Sequence, residues 1–163
     1  MTKRIVSALL ALILLCSLAS CKATAWRDDV ATADLIENAL SALSDGVTYV
    51  DVEDDFLDGY VTPADWIVSF DIRIAEIAAN LNQVGIYHVK DGHAADMKDQ
   101  LESYLAKSLE QNEAWYNSYI PEETPKLRDA EVKVYGNYVV YAILSANDRA
   151  TFFDTLEAEL AAS

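Results

Sequence analysis

Apolar and polar positions change period several times along the chain, and each change marks an element. Leu35, Ile36, Ala39, Leu40 and Leu43 recur at helical spacing after Thr32, which can cap a first helix, and Asp45-Gly46 can stop it. VTYVDV, residues 47–52, reads as a short strand. Trp66, Val68, Phe70, Ile72 and Ile74 then alternate with Ser69, Asp71 and Arg73, the period of a half-buried strand. Residues 75–83 fit a short helix or an irregular link equally well. VGIYHV, residues 84–89, is another strand, closed by a Lys90-Asp91-Gly92 turn.

A long helix is expected over residues 93–119, with a stripe running from Ala94, Met97, Leu101, Tyr104 and Leu105 through Ser108 and Asn112 to Trp115 and Tyr119. Pro121 and Pro125 end it and open a loop. AEVKVY (130–135) and YVVYAIL (138–144) flank Gly136-Asn137, the pattern of a tight hairpin. The second of these strands is apolar on both faces, which predicts a central position. Ser145, three residues before Asp148, starts a last helix in which Ala150, Phe153, Leu156 and Leu160 point inward. Hairpin-like strands with helices beside them predict an α+β fold. The expected architecture is a mostly antiparallel sheet of four or five strands, a long helix across one face, and helices at both ends.

The N-terminus follows a different logic. Lys3 and Arg4 precede an apolar run of 11 residues, IVSALLALILL. A spanning helix needs about 20 apolar residues, whereas the core of a secretory signal peptide needs about 7–15. Leu18-Ala19-Ser20-Cys21 then resembles the bacterial lipobox, in which a leucine and two small residues precede a cysteine that receives diacylglycerol and becomes the first residue after cleavage. Cys16 follows Ile13-Leu14-Leu15, too bulky for that peptidase. The expected organisation is a signal peptide over residues 1–20, lipidated Cys21 with a short tether over 21–31, and one extracytoplasmic domain over 32–163. A lipidated Cys21 leaves no free thiol, which excludes disulfides, zinc–cysteine sites and a cysteine nucleophile from the mature protein.

Charge narrows the partners. Twelve basic and 27 acidic residues give the precursor −15; residues 1–20 hold two basic and no acidic residues, so the mature chain carries −17. Nucleic acid needs a basic footprint and is excluded. Attachment to the membrane is expected through the lipid anchor, with Lys22 and Arg27 beside the headgroups.

From GIYHVKDG through the long helix to YIPEETPKLRDAEVKVYGNYVV, the chain resembles a family of small lipoproteins from Gram-positive, clostridia-type bacteria that carry a domain of unknown function. The resemblance covers roughly residues 60–145 and rests also on Cys21. It implies an anchored Gram-positive setting and a single domain, and it brings no activity. In that family a glutamate–isoleucine pair often enters the second main strand, where Gln83-Val84 stands here.

Three clusters are candidate sites. Asp51, Glu53, Asp55 and Asp58 lie in an acidic, turn-rich stretch and can offer oxygen ligands to calcium, although Phe56 stands where an EF-hand loop requires glycine. His88 and His93 bracket a strand–turn–helix junction near Asp91 and Asp96; a metal site needs three or four converging ligands, and the spacing permits convergence here without requiring it. Trp115, Tyr116 and Tyr119 group with Asn117 and two acids, which suits a sugar ring or a protein partner. Alternatively Trp115 and Tyr119 continue the core stripe and leave only Tyr116 outside. No nucleophile elbow, S-x-x-K, H-E-x-x-H, P-loop or dinucleotide glycine pattern is present. The expected function is therefore non-catalytic: a binding or scaffold domain of the cell envelope, with no cofactor beyond the Cys21 lipid. A module for calcium or a glycan is the alternative, and a small envelope hydrolase built on paired carboxylates is a second one.

Overall fold

A computed structural model of the chain describes residues 25–52 and 55–162. Cys16, Cys21 and Glu53 lie outside the described residues, as does the signal segment. The elements are α1 (Thr32–Ser41), β1 (Tyr49–Asp51), β2 (Ile67–Ala75), β3 (Gln83–Val89), α2 (Ala94–Tyr119), α3 (Thr124–Arg128), β4 (Glu131–Tyr135), β5 (Tyr138–Ile143) and α4 (Ala146–Leu160). The five strands form one antiparallel sheet in the order β1-β2-β3-β5-β4. This is the α+β architecture expected from the sequence pattern.

β3 and β5 lie at the centre of the sheet with helices on both faces; β5 is buried throughout and continuously apolar, and β3 is interrupted by Gln83 and His88. Their side chains alternate between two cores. Val84, Ile86, Tyr138, Val140 and Ala142 meet Leu35, Ile36 and Ala39 of α1 and Phe152, Phe153, Leu156 and Leu160 of α4. Tyr87, Val89, Val139, Tyr141 and Ile143 meet Met97, Leu101, Tyr104 and Leu105 of α2 on the other face. The two terminal helices thus pack together against one face, and the long helix covers the other.

Local details differ from the sequence pattern for identifiable reasons. Thr32 is the first helical residue rather than the cap; its hydroxyl donates to Asp71 Oδ2 at 2.6 Å and so ties α1 to β2. Residues 76–82 form an irregular link rather than a helix. A register shift between Ile67 and Ser69 turns Val68 outward, away from the inward role its alternation implied. In α4 Phe153, Leu156 and Leu160 are buried as expected, and Phe152 rather than Ala150 joins them. Pro125 occupies the first turn of α3, where its missing N–H costs nothing, so the expected loop contains a short helix. Ser145 caps α4 as expected, accepting from Asp148 N at 3.3 Å.

Residues 25–31 are not a free tether. Arg27 N donates to Leu160 O and Ala162 N to Ala25 O, each at 2.8 Å. The Trp26 ring meets Tyr135 edge-on at 5.1 Å, and the Tyr138 hydroxyl donates to Val30 O at 2.7 Å. Trp26 also lies on Gly136, where an added Cβ would come within 2.8 Å of its own Cβ. Gly136 has φ +62° as well, so both the hairpin turn and the strap formed by residues 25–31 demand glycine there.

Candidate functional site

The strap and α2 together define two poles. Asn137, in the β4–β5 turn, donates to Asp91 Oδ1 at 2.6 Å just ahead of α2, so the N-terminus of α2 lies at the pole where Trp26 rests on Gly136. At the other end Glu123 accepts from Leu81 N at 2.8 Å, and Lys126 Nζ donates to Asn82 Oδ1 and Glu123 Oε2, each at 2.7 Å. The C-terminus of α2 therefore lies beside the start of β3.

With 26 residues, α2 is about 39 Å long. β3, with seven, is about 23 Å. The helix outruns the sheet, and its fully buried positions end at Leu105. Trp115 and Tyr119 accordingly do not continue the core stripe. They are 53% and 69% exposed, and their rings stack at 4.9 Å with 30° between planes. Tyr116 takes the opposite role from the one the stripe implied: it is half-buried against the α2-side core and meets Trp115 edge-on at 5.5 Å. Burial raises its phenol above the ordinary tyrosine range. The result is a two-ring apolar surface with Asn117 exposed on the same last turns, which can stack against a planar or apolar ligand face.

The acidic stretch is dispersed by its own neighbours. Arg73 Nη1 lies 2.6 Å from Asp51 Oδ1 and 3.5 Å from Asp71 Oδ1, so Asp51 is already paired. Asp55 and Asp58 are exposed members of a turn in which Asp58 N donates to Asp55 O at 2.8 Å. The two histidines point to opposite sides of the sheet. His88 stacks on Tyr138 at 4.5 Å with Nε2 2.8 Å from Asp28 Oδ1. His93 stacks on Trp66 at 5.1 Å with Nδ1 3.0 Å from Asp96 Oδ2. Among the described residues no three His, Cys, Asp or Glu side chains gather as metal ligands.

Beside the start of β2 lies a groove of about 470 Å³, absent from the expectations above and lined by Leu57, Asp58, Val61, Ile67, Val68 and Tyr87 among others. A signal for it existed. Phe56, Leu57, Tyr60 and Val61 are apolar residues at helical spacing inside the acidic stretch, and Leu57 and Val61 are buried.

Fold and surface together describe an α+β domain with a central antiparallel sheet and an overhanging aromatic helix end. Residues 48–144 match the family described as Domain of unknown function (DUF4358), and the chain belongs to it. No curated protein and no solved structure matches the chain. The matched region runs from β1 through β5 and omits α1 and α4, which cover one face of the sheet. In this chain the folded unit is therefore larger than the matched region.

Proposed function

We propose that the protein is a lipid-anchored, extracytoplasmic lipoprotein of a Gram-positive-type envelope, and that its domain holds another envelope component without converting it. One observation carries the reading: the exposed Trp115–Tyr119 pair stands at the pole away from the strap. Ala25 is four peptide steps from Cys21, a reach of at most about 14 Å, so a lipid on Cys21 would hold the strap pole near the membrane. The aromatic pole would then face outward, toward wall and partners. Large aromatics left in water at one place are typical anchors of a binding surface.

The test is retention of the full chain by isolated envelope fragments, compared with Trp115→Ala/Tyr119→Ala. Loss of retention with unchanged melting supports the reading; equal retention removes the aromatic surface from it. Membrane partitioning of Cys21→Ser tests the anchor separately, and unchanged partitioning would overturn lipidation. A second reading, a glycan ligand, is favoured by the stacked rings beside Asn117, since sugar rings pair an apolar face with polar edges. Quenching or enhancement of Trp115 fluorescence by soluble wall glycan, absent in Trp115→Phe, would select it over a protein partner.

A further inference from the structure

The face of α2 that carries Trp115 and Tyr119 is the one that sets Met97, Leu101 and Tyr104 against the sheet, continued at helical spacing. Tyr104 bonds Gln83, the first residue of β3, so the two exposed rings lie beyond that end of the sheet. The β2–β3 link, residues 76–82, leaves the sheet at the same end. Its tip, Glu76-Ile77-Ala78-Ala79, is exposed, with Ile77 at 69%. A turn in which Asn80 N donates to Ile77 O at 2.8 Å closes the tip. The corner after α2 fixes the link in place. Glu123 accepts from Leu81 N, and Lys126 Nζ donates to Asn80 Oδ1 at 3.3 Å as well as to Asn82 and Glu123. Both of these charged side chains are mostly buried, so water competes little for their bonds. Ile77 and the Trp115–Tyr119 pair are therefore presented at one pole by two elements tied to the same corner.

Charge defines what fits there. Both basic side chains of α3 are committed, Lys126 to Glu123 and Arg128 to Glu113. Among the described residues Glu76, beside Ile77, and Glu122, three residues after Tyr119, are exposed and have no basic partner. On the reading that the aromatic pole is the binding surface, we propose that it docks an arginine-bearing extended segment of a partner protein. A guanidinium of that segment lies on the exposed rings, Glu76 and Glu122 supply the opposite charge, and an apolar side chain packs on Ile77. Arginine suits this surface better than lysine, because its planar, weakly hydrated guanidinium stacks on an aromatic face. A neutral glycan would leave both glutamates without a counter-charge, and a second copy would bring −15 against −15.

The experiment uses the full chain in detergent and three fluorescein-labelled peptides rich in glycine and serine. Each carries leucine and, in turn, arginine, lysine or citrulline, the last an uncharged isostere of arginine. Anisotropy at low salt is expected to show the arginine peptide binding about tenfold tighter than the citrulline peptide, with the lysine peptide between them. Trp115→Ala and Ile77→Ser should each weaken it about fivefold, and Glu122→Gln should weaken it and flatten its salt dependence, all with unchanged melting. Equal binding of the arginine peptide and either control, or binding that Trp115→Ala leaves unchanged, overturns the proposal. Retention by envelope fragments separates this failure from that of the surface itself. Retention lost in Trp115→Ala/Tyr119→Ala but not competed by excess arginine peptide overturns the arginine segment and leaves the aromatic surface standing. Retention unchanged in that double variant removes the surface, and the proposal with it. A sedimenting mass that rises with protein concentration and falls back in Trp115→Ala also overturns the proposal and identifies a second copy.

Discussion

Replacing Gln83 with leucine should be among the most damaging single changes that remove no core volume. Gln83 begins β3 and sits between two buried phenols. Its Nε2 donates to Tyr141 Oη at 2.6 Å and to Tyr104 Oη at 2.8 Å, and Tyr104 Oη donates back to Gln83 Oε1 at 3.1 Å. Tyr141 is fully buried and Tyr104 nearly so. Leucine fills similar space and leaves both hydroxyls without this partner. An unsatisfied buried polar group costs about 1–3 kcal/mol, so two cost about 2–6. Leucine's greater apolar burial returns about 1 kcal/mol, leaving a net loss of about 3. Against a total of about 5–15 kcal/mol for a domain, that is a large fraction. Urea unfolding followed by circular dichroism reads it directly: with a slope of about 2 kcal/mol per molar, the midpoint should fall by about 1.5 M with the slope unchanged. The triple change Gln83→Leu/Tyr104→Phe/Tyr141→Phe removes the polar groups together and should recover much of the loss. A single-variant loss below about 0.5 kcal/mol, or a triple variant no more stable than Gln83→Leu, would refute the account.

Burial also holds the Tyr104 phenol at about 12 and raises those of Tyr87 and Tyr141. A phenol that stays protonated in the fold but ionises near 10 when unfolded favours unfolding as pH rises. Stability should therefore be flat below about pH 9 and fall by up to about 1.4 kcal/mol per pH unit per tyrosine above 10, read as the urea midpoint against pH. Gly85→Ala would set a Cβ 2.2 Å from Tyr141 Cε1, displacing the ring from Gln83; a loss of about 1–3 kcal/mol is expected, and Tyr141→Leu in the same chain should relieve the clash part of it. Trp26→Ala uncovers Tyr135 and Gly136 and should cost about 2 kcal/mol, measured by thermal melting; no change would mean that the strap contributes nothing to the fold.

The sheet was legible because its strands are regular. The period of two in β2 beyond its register shift, the doubly apolar run of β5 and the Gly136-Asn137 turn each have one physical reading, and the structure realises all three. The strap was not legible, because KATAWRDDVA has neither period. Only tertiary contacts with Leu160, Tyr138 and Gly136 order its second half. In the sequence Arg73 is one polar position of an alternating strand. Nothing local shows that it would pair with Asp51 across the sheet and so remove one oxygen from the acidic set. Likewise His88 and His93 are close in sequence, yet a strand residue and a residue beyond the turn can face opposite sheet surfaces, as these do.

Both exposed surfaces arise by the same physical route, which explains why periodicity alone misassigned them. An apolar pattern reports which side chains would be buried if a partner ran alongside, and it carries no information about where that partner stops. α2 keeps its helical stripe to Tyr119, but the seven-residue strand beneath it ends sooner, and Trp115 and Tyr119 emerge into water. β2 keeps its alternation from Ile67, but β1 covers only its last three residues and the register shift turns Val68 out. In each case the sequence continues to specify apolar side chains where none of the described residues covers them. Leaving a tryptophan, a tyrosine and a valine so exposed forfeits burial free energy of roughly 1.5–3 kcal/mol for each large side chain. A molecule docked against either surface would recover that burial, which is the physical case for a partner there.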